Sequence, residues 1–413
     1  MNDAGAHLRG SMRQWPEAVL FISKPMVPPW NDSGKNLARD LAGALKWQRV
    51  HVMGVQGEVG GPAVPGTLGV AAAKQAELGQ MGPNVVYEPV YSGTGSFGAG
   101  IRQNLAPLRR LLTPDDIPLY HFFFAPNPRT SLVARSLLTI KRRATVHTML
   151  SAPASYERAS RLLFADRTVA LSHHTKAMLE QQGVQGVVVI PPCVPTRPAV
   201  SQERKLGVMQ RLGLTTGRPF VLFAGDYEYS SAASTCSQAL ESITGEGGAD
   251  FVFACRMKKG HIGKALETSI REGICNSRCA ARVFFFNEVD DMDALIAAAT
   301  VQVMPADSLY AKMDIPLVLL ESLREGVPVV VADHGPLPEL LRRPVGSVVP
   351  VKDPGALAAA VNRLLGDPEM RASMGREGQA LVDEEYSPAA MASKYRELYK
   401  ELLDSKGIKY EKR

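Results

Sequence analysis

The chain has 413 residues, of which 45% are hydrophobic and 21% charged, and its formal net charge is +6. This length predicts two domains, because a single core seldom grows beyond about 250–300 residues, and the composition excludes disordered and fibrous proteins. The basic residues are dispersed and match no nucleic-acid-binding motif, so no nucleic-acid partner is expected. We predict a cytoplasmic protein, because it has no run of about 18 apolar residues and no secretory signal. The positive charge leaves peripheral contact with the inner membrane face open.

Short apolar runs recur along the chain, with helical stretches between them. Most are rich in Val, Ile and Phe and lack polar alternation, which is typical of strands that helices cover on both faces. The runs are 18–22, 49–55, 85–90, 119–124, 144–148, 168–171 and 187–190, followed by 220–224, 251–255, 282–286, 301–304, 328–332 and 347–349. Strands that alternate with helices in two such series predict two doubly wound, Rossmann-like α/β domains.

Residues 190–200, with the sequence IPPCVPTRPAV, contain four prolines. Such a segment is typical of a linker between compact units. We therefore divide the chain into an N-terminal domain over residues 1–195, a C-terminal domain over 196–370 and a group of helices over 371–413.

No metal or organic cofactor is predicted. The five cysteines form no CxxC pair, and Cys275 and Cys279 lack the further ligands of a zinc site. We interpret them as free thiols. Asp290, Asp291 and Asp293 stand at the start of a predicted helix, where carboxylates cap the helix rather than form a metal motif.

Five blocks of sequence resemble the retaining glycosyltransferases of family 4. The most specific is 312–333, KMDIPLVLLESLREGVPVVVAD. In that family an acidic residue and seven others precede a glutamate, a helix end and a G-x-P-V-V strand. Glu321 matches the glutamate, whereas Met313 occupies the first acidic position, for which neighbouring Asp314 is a candidate replacement. The other blocks are 18–41, 145–153, 169–193 and 219–239.

The resemblance covers about residues 18–390 and implies a divergent, group 1-like member with the GT-B fold. It implies transfer of a sugar from a nucleotide-sugar donor with retention of anomeric configuration, by orientation and by stabilisation of the departing diphosphate. It also implies that the C-terminal helices return to the N-terminal domain. The acceptor, whether a glycan, a lipid-linked sugar or a small molecule, stays open. Two alternatives are a GT-B nucleotide-sugar epimerase and a non-catalytic GT-B protein that binds a ligand or partner.

Four residues are predicted to contact the donor's ribose, sugar or phosphates. Glu321 can accept two hydrogen bonds from ribose hydroxyls across the crevice of an open α/β sheet. His147, which resembles the family's histidine beside the donor sugar, is the catalytic candidate, with a structural histidine as the alternative. Gly34 and Gly335 precede or begin helices, whose N-termini favour anions.

The positive charge for the diphosphate is predicted to come from unusual positions. Family members carry an arginine just after the first strand of the donor domain and a lysine about five residues later; here Asp226 and Ser231 stand there. Arg256 and Lys258 follow the next strand, and Lys312 precedes the Glu321 helix. These three cations can bind phosphate by paired hydrogen bonds or as point charges.

Overall fold

The computed structural model describes residues 18–408, except 29, 31, 56–80, 93–100, 126–127, 142, 154, 158, 246–247, 258–261 and 311. Lys258, one of the predicted phosphate ligands, lies outside the described residues. So do both ends of the predicted domain division, residues 1–17 and 409–413.

The N-terminal sheet is parallel and has the strand order β3-β2-β1-β4-β5-β6-β7. Its strands are β1 (Ala18–Ile22), β2 (Arg49–Val55), β3 (Val85–Tyr91), β4 (Leu119–Phe124), β5 (Ala144–Met149), β6 (Arg167–Ala170) and β7 (Val187–Val189). The helices among them are α1 (Ser33–Ala44), α2 (Ile101–Leu112), α3 (Pro128–Lys141) and α4 (His173–Gln181), with a 3₁₀ turn at Ala159–Arg161. The central strands are almost wholly buried because helices cover both faces.

The C-terminal sheet is also parallel and has the order β10-β9-β8-β11-β12-β13. Its strands are β8 (Phe220–Gly225), β9 (Asp250–Cys255), β10 (Val283–Phe286), β11 (Val301–Met304), β12 (Val329–Ala332) and β13 (Gly346–Val349). Its helices are α5 (Gln202–Arg211), α6 (Ala232–Gly245), α7 (Ile262–Ile274), α8 (Met292–Ala298), α9 (Leu317–Arg324) and α10 (Pro354–Gly366), with 3₁₀ turns at Ala280–Arg282 and Leu337–Arg342. Two further helices, α11 (Pro368–Glu385) and α12 (Pro388–Ser405), complete the described chain.

In both sheets the strand order reverses between the first and fourth strands of the domain, which are β1 and β4 in one sheet and β8 and β11 in the other. This is the doubly wound arrangement of the Rossmann fold. The predicted fold of two Rossmann-like domains is confirmed. Local signals fix the element ends as expected. For example, α9 begins after Pro316 and ends before Gly326, whose φ of +75° is a conformation that glycine adopts without strain. No helix within the described ranges is both long and apolar enough to cross a membrane.

The two last helices pack against different domains. Leu381, Val382 and Tyr386, on and after α11, belong to the core of the C-terminal sheet. By contrast, the apolar face of α12, including Met391 and Tyr395, belongs to the N-terminal core. The return to the N-terminal domain therefore begins at α12 and not at residue 371. Both helices are amphipathic, and only the surface opposite each one decides where it packs.

A buried polar network holds α12 against the N-terminal sheet. The imidazole of His121 on β4 lies 2.5 Å from the Tyr399 hydroxyl and 2.7 Å from Thr148 Oγ1. Thr148 Oγ1 in turn lies 2.8 Å from the Tyr395 hydroxyl. All four residues are buried, so each polar group has exchanged water for a partner within the network.

The chain passes between the domains twice, and the two passages lie side by side. The first is the proline-rich linker after β7, and the second joins α11 to α12. The backbone N–H of Val194 in the linker donates to the carbonyl of Tyr386 at 2.9 Å. The predicted linker thus lies at the junction of the domains, while the limits of each domain remain a proposal.

Candidate active site

In each sheet a crevice lies beyond the carboxyl ends of the two strands between which the strand order reverses. Ligands of open α/β sheets bind in this crevice. In the C-terminal sheet these strands are β8 and β11. Asp226 follows β8 directly, and Asp307 lies three residues beyond β11. The C-terminal crevice therefore begins with acidic side chains rather than with the basic ones that a diphosphate needs.

Glu321 lies where the two domains meet. It sits on α9, and the charges that act on its carboxylate belong to Arg324, Asp293, linker residue Arg197 and Asp40 on α1 of the N-terminal domain. Burial raises the pKa of Glu321 above its ordinary value. Among the residues that the structure describes, none forms a hydrogen bond or ion pair with this carboxylate. Glu321 is thus a half-buried acceptor that lacks a donor from the described residues, as a residue that binds ligand hydroxyls would be.

A buried methionine stands at the position where the family carries its first acidic residue. Met313 is buried in the N-terminal core cluster. Asp314, its candidate replacement, is 2% exposed and accepts a hydrogen bond from Ser172 Oγ at 2.9 Å. Ser172 is the N-cap of α4, where its Oγ accepts from the Thr175 N–H. Asp314 therefore joins the two domains, and its predicted contact with the donor stays a prediction.

Glu339 makes a second contact of this kind, which the sequence did not indicate. Its two carboxylate oxygens accept the backbone N–H groups of His173 and His174, at 2.9 and 2.5 Å. These groups lie in the first turn of α4, where the helix dipole favours a negative charge. Two carboxylates of the C-terminal domain thus dock at one helix N-terminus of the N-terminal domain. No local pattern could have shown this, since Glu339 and His173 are 166 residues apart.

Lys312 compensates the acid at the family's arginine position. Its Nζ lies 3.3 Å from Asp226 Oδ2, and its side chain is 13% exposed. Asp226 also accepts the backbone N–H groups of Glu228 and Tyr229, each at 3.1 Å. Because Lys312 already faces Asp226, a phosphate would have to compete for it. Its predicted phosphate contact remains a prediction.

Arg256 is exposed at the carboxyl end of β9, one strand out from the reversal. This position is compatible with a contact to phosphate but does not test it. Gly335 has a φ of +56° and precedes Pro336, which has no N–H to offer an anion. A short 3₁₀ segment follows instead of the expected helix start.

Gly34 is buried in the first turn of α1, where a Cβ atom would come within 2.3 Å of Leu150 Cδ1. Because that atom is the end of a flexible side chain, which can move aside, the approach of Leu150 favours a glycine here without requiring one. The first turn already has an internal acceptor, because Asp32 Oδ1 accepts the Lys35 N–H at 3.0 Å. The contact between Gly34 and a phosphate stays a prediction.

The structure favours the structural alternative for His147. Strand β5 continues to Met149, so His147 lies inside the strand and is fully buried. Its Nε2 is 3.0 Å from the carbonyl oxygen of Phe124, and the Phe124 and Phe164 rings pack against the imidazole. Burial lowers the pKa of His147 to about 4. In this conformation the side chain cannot touch a sugar, and the catalytic role stays a prediction that the geometry does not support.

No group of three or more His, Cys, Asp or Glu side chains able to hold a metal ion occurs within the described part of the chain. The cysteines are all free thiols, and only Cys275 is exposed.

Two Rossmann-like domains, joined by two neighbouring passages of the chain, are the arrangement of the GT-B class of glycosyltransferase. Two family models match successive parts of the chain: Glycosyltransferase Family 4 over residues 36–197 and Glycosyl transferases group 1 over residues 208–381. Together the two models cover most of the chain and identify it as a group 1, family 4-like glycosyltransferase, which confirms the resemblance inferred from the sequence.

Curated relatives match over shorter stretches. A GDP-mannose-dependent monoacylated alpha-(1-6)-phosphatidylinositol monomannoside mannosyltransferase from Corynebacterium glutamicum is 37% identical over 103 residues, which are 24% of this chain and 27% of that protein. The N-acetyl-alpha-D-glucosaminyl L-malate synthase of Bacillus anthracis is 27% identical over 136 residues, covering 33% of this chain and 35% of that one. The matched stretches thus span about a quarter to a third of these relatives.

Solved structures match over nearly the whole chain and show the fold. Sucrose-phosphate synthase from Thermosynechococcus elongatus superposes with a TM-score of 0.70 at 19% identity, covering 94% of this chain and 100% of that one. Anabaena HepE in complex with UDP-glucose superposes with a TM-score of 0.69 at 17% identity, covering 93% and 99%.

Proposed function

We propose that this protein transfers a sugar from a nucleotide-sugar donor to an acceptor, with retention of anomeric configuration. The observation that carries the proposal is Glu321, a half-buried carboxylate at the domain junction without a hydrogen-bond donor among the described residues. Ribose presents two adjacent hydroxyl donors, which such a carboxylate can accept together. Family membership supports the same role, because Glu321 stands in the family's most specific block.

Two relatives support a nucleotide-sugar as the donor. The Corynebacterium relative is named as GDP-mannose-dependent, and the HepE structure contains UDP-glucose. They differ in both base and sugar, so GDP-mannose and UDP-glucose are the first two donors to test. Retention is implied by the family, in which the donor's phosphate can accept the proton of the acceptor hydroxyl on the reacting face.

Glu321→Gln is expected to weaken donor binding by about 1.5–3 kcal/mol, or roughly 10- to 150-fold, because an amide accepts weaker hydrogen bonds than a carboxylate. Glu325→Gln, one turn later, is the matched control. Glu325 accepts a hydrogen bond from Arg324 at 3.1 Å, so Glu325→Gln removes the same charge from the same helix while the Glu321 carboxylate stays in place. Isothermal titration with GDP-mannose and UDP-glucose measures both variants. Equal affinity in wild type and Glu321→Gln would remove this glutamate from the donor site.

Donor turnover separates transfer from the two alternatives. A transferase releases nucleoside diphosphate and forms a glycosylated product in the presence of acceptor. A GT-B epimerase would release nucleotide without such a product, and a non-catalytic protein would bind donor and leave it intact. Mass spectrometry of both products, with a panel of glycan, lipid-linked and small-molecule acceptors, distinguishes the three outcomes.

We further propose that the N-terminal domain makes peripheral contact with an anionic membrane surface, as a lipid-linked acceptor would require. Helices α2 and α3 expose Leu105, Leu112 and Leu132, with Arg109 and Arg135 on the same helices. Exposed leucines can enter the acyl-chain region of a membrane, and basic neighbours can contact its anionic headgroups.

Co-sedimentation with vesicles tests this contact. We expect binding to vesicles that contain phosphatidylserine, little binding to pure phosphatidylcholine, and release as salt rises, because the Debye length falls from about 10 Å at 0.1 M to about 3 Å at 1 M. Leu132→Ser combined with Arg135→Ser is expected to reduce binding. Sedimentation that is indifferent to salt and lipid charge would contradict the proposal.

A further inference from the structure

Lys352 has an unusual backbone conformation for a lysine. Its φ is +57°, and it is the only non-glycine residue with positive φ among those that the structure describes. It occupies the turn between β13 and α10, immediately before Asp353, which caps α10. A Cβ atom makes this conformation unfavourable, and glycine is the residue that such turns favour. A lysine in this unfavourable conformation therefore indicates a role for its side chain.

The side chain reaches along the carboxyl edge of the C-terminal sheet towards its reversal. Strands β13, β12 and β11 are neighbours, and their carboxyl ends lie at one edge. From the turn after β13, Lys352 Nζ extends to within 3.1 Å of Asp307 Oδ2, beyond the end of β11. The lysine side chain is 66% exposed, so its ammonium remains accessible to a ligand in the crevice.

Asp307 connects this ammonium to the position where the family carries a lysine. Its other oxygen, Oδ1, accepts the backbone N–H of Ser231 at 2.8 Å. Ser231 immediately precedes α6 and stands at the family's lysine position, as the sequence indicated. One carboxylate therefore holds Ser231 on one side and the Lys352 ammonium on the other. The positive charge missing from residue 231 is present in space, supplied from a later part of the chain.

The other described cations of this crevice are less suited to the role. Lys312 is enclosed beside Asp226, and moving it to a phosphate would leave the Asp226 carboxylate without its nearest compensating charge. Arg256 lies beyond β9, on the far side of β8 from Asp307. Lys352 combines an exposed ammonium with a fixed place beside the reversal.

We propose that Lys352 binds the diphosphate of the nucleotide-sugar donor and so replaces the cation that Ser231 lacks. This rests on the proposed function. The ammonium turns from Asp307 towards a phosphate oxygen, or bridges both, and it stabilises the negative charge on the departing nucleoside diphosphate. Asp307 acts as a positioning residue that keeps the flexible lysine over the crevice before the donor arrives.

Lys352→Gly tests the proposal without threatening the fold, because glycine adopts the observed φ without the steric cost of a Cβ atom. The thermal midpoint is expected to stay within about 2 °C of wild type, since relief of strain offsets the greater backbone entropy of glycine. Titration with GDP, UDP and inorganic pyrophosphate is expected to show at least about a tenfold rise in Kd for whichever probes the wild type binds. Affinity for guanosine or uridine should be unchanged, because neither carries phosphate.

Two further variants complete the experiment. Lys352→Arg keeps a cation that can donate to phosphate, so it is expected to lose less affinity than Lys352→Gly. Lys400→Ala removes one positive charge from the exposed face of α12, outside the crevice, and is expected to leave Kd unchanged.

The outcomes separate this inference from the proposed function. If the wild type binds GDP or UDP and Lys352→Gly binds it equally well, the role of Lys352 is wrong while the Glu321 site stands. An equal loss in Lys352→Gly and Lys400→Ala would indicate net charge alone and would also overturn it. If the wild type binds neither nucleotide nor pyrophosphate, the donor site itself is wrong.

Discussion

Deleting residues 387–413 is expected to unfold the N-terminal domain while the C-terminal domain keeps its own unfolding transition. Helix α12 contributes six large side chains, each at most 4% exposed, to the N-terminal core: Met391, Tyr395, Leu398, Tyr399, Leu402 and Leu403. Burial of such a side chain stabilises a protein by about 1.5–3 kcal/mol, so together they approach or exceed the whole stability of a typical domain, about 5–15 kcal/mol. The deletion would also leave His121 and Thr148 without the tyrosine hydroxyls that they now contact.

Hydrogen exchange measured by mass spectrometry checks this result domain by domain. Peptides from β1, β4 and β5 should lose protection in the deletion variant, whereas peptides from β8, β9 and β11 should retain it. The control is Lys394→Ala combined with Lys400→Ala, which alters only the exposed face of α12. An N-terminal sheet that stays protected without α12 would show that this helix is an accessory and not part of the core.

Acid is expected to destabilise the fold through two buried histidines. Burial lowers the pKa of His147 to about 4 and holds the pKa of His121 well below its ordinary value. Both are therefore neutral in the folded protein, while in the unfolded chain they take up protons below about pH 6.5. Since the unfolded state binds more protons, their contribution is complete above pH 6.5 and is lost as the pH falls towards the folded-state pKa. Each proton costs about 1.4 kcal/mol per pH unit in that window, or about 2.7 for both.

His147→Gln isolates one of these protons, because a glutamine can still donate to the Phe124 carbonyl. Between pH 6 and 4.5, the free energy of unfolding of this variant should fall less steeply than that of wild type, by about 1.4 kcal/mol per pH unit. Comparing the two slopes cancels the opposite contributions of Asp314 and Glu321, whose pKa values burial raises. Urea unfolding at several pH values measures the slopes, with exposed His173→Gln as the control. Identical slopes in wild type and His147→Gln would contradict the buried neutral imidazole.

The sequence predicted the two sheets well because strands covered on both faces must be apolar along their whole length. All thirteen strands found among the described residues overlap apolar runs that the sequence shows. An apolar run does not show which residue is the last one of its strand. His147 stands one residue before the end of its run, 144–148, but the strand continues to Met149, so the imidazole is buried inside the strand and not placed at its end.

The candidate site was predictable only where one local block carries it. Glu321 could be identified because its helix, the following glycine and the next strand are contiguous. By contrast, the contacts of Asp314 with Ser172, of Glu339 with α4 and of Lys352 with Asp307 join residues far apart in the chain. Such pairs depend on how the two sheets and their edges meet. For the same reason the sequence did not show where α11 packs. Its amphipathic pattern would suit a contact with either domain, and in the structure it packs against the C-terminal one.

The paired crossings have a consequence for the order in which the protein can be made. Because the chain returns to the N-terminal sheet only at α12, that domain is built from two distant segments, with the C-terminal domain inserted between them. A ribosome releases the whole C-terminal sheet before it releases Tyr395 and Tyr399. The C-terminal sheet can therefore form before the first domain is complete, because the first domain must wait, partly uncovered, for a helix encoded about 200 residues after its last strand. Of the two domains, the one whose strands leave the ribosome first is therefore the one that completes its folding last.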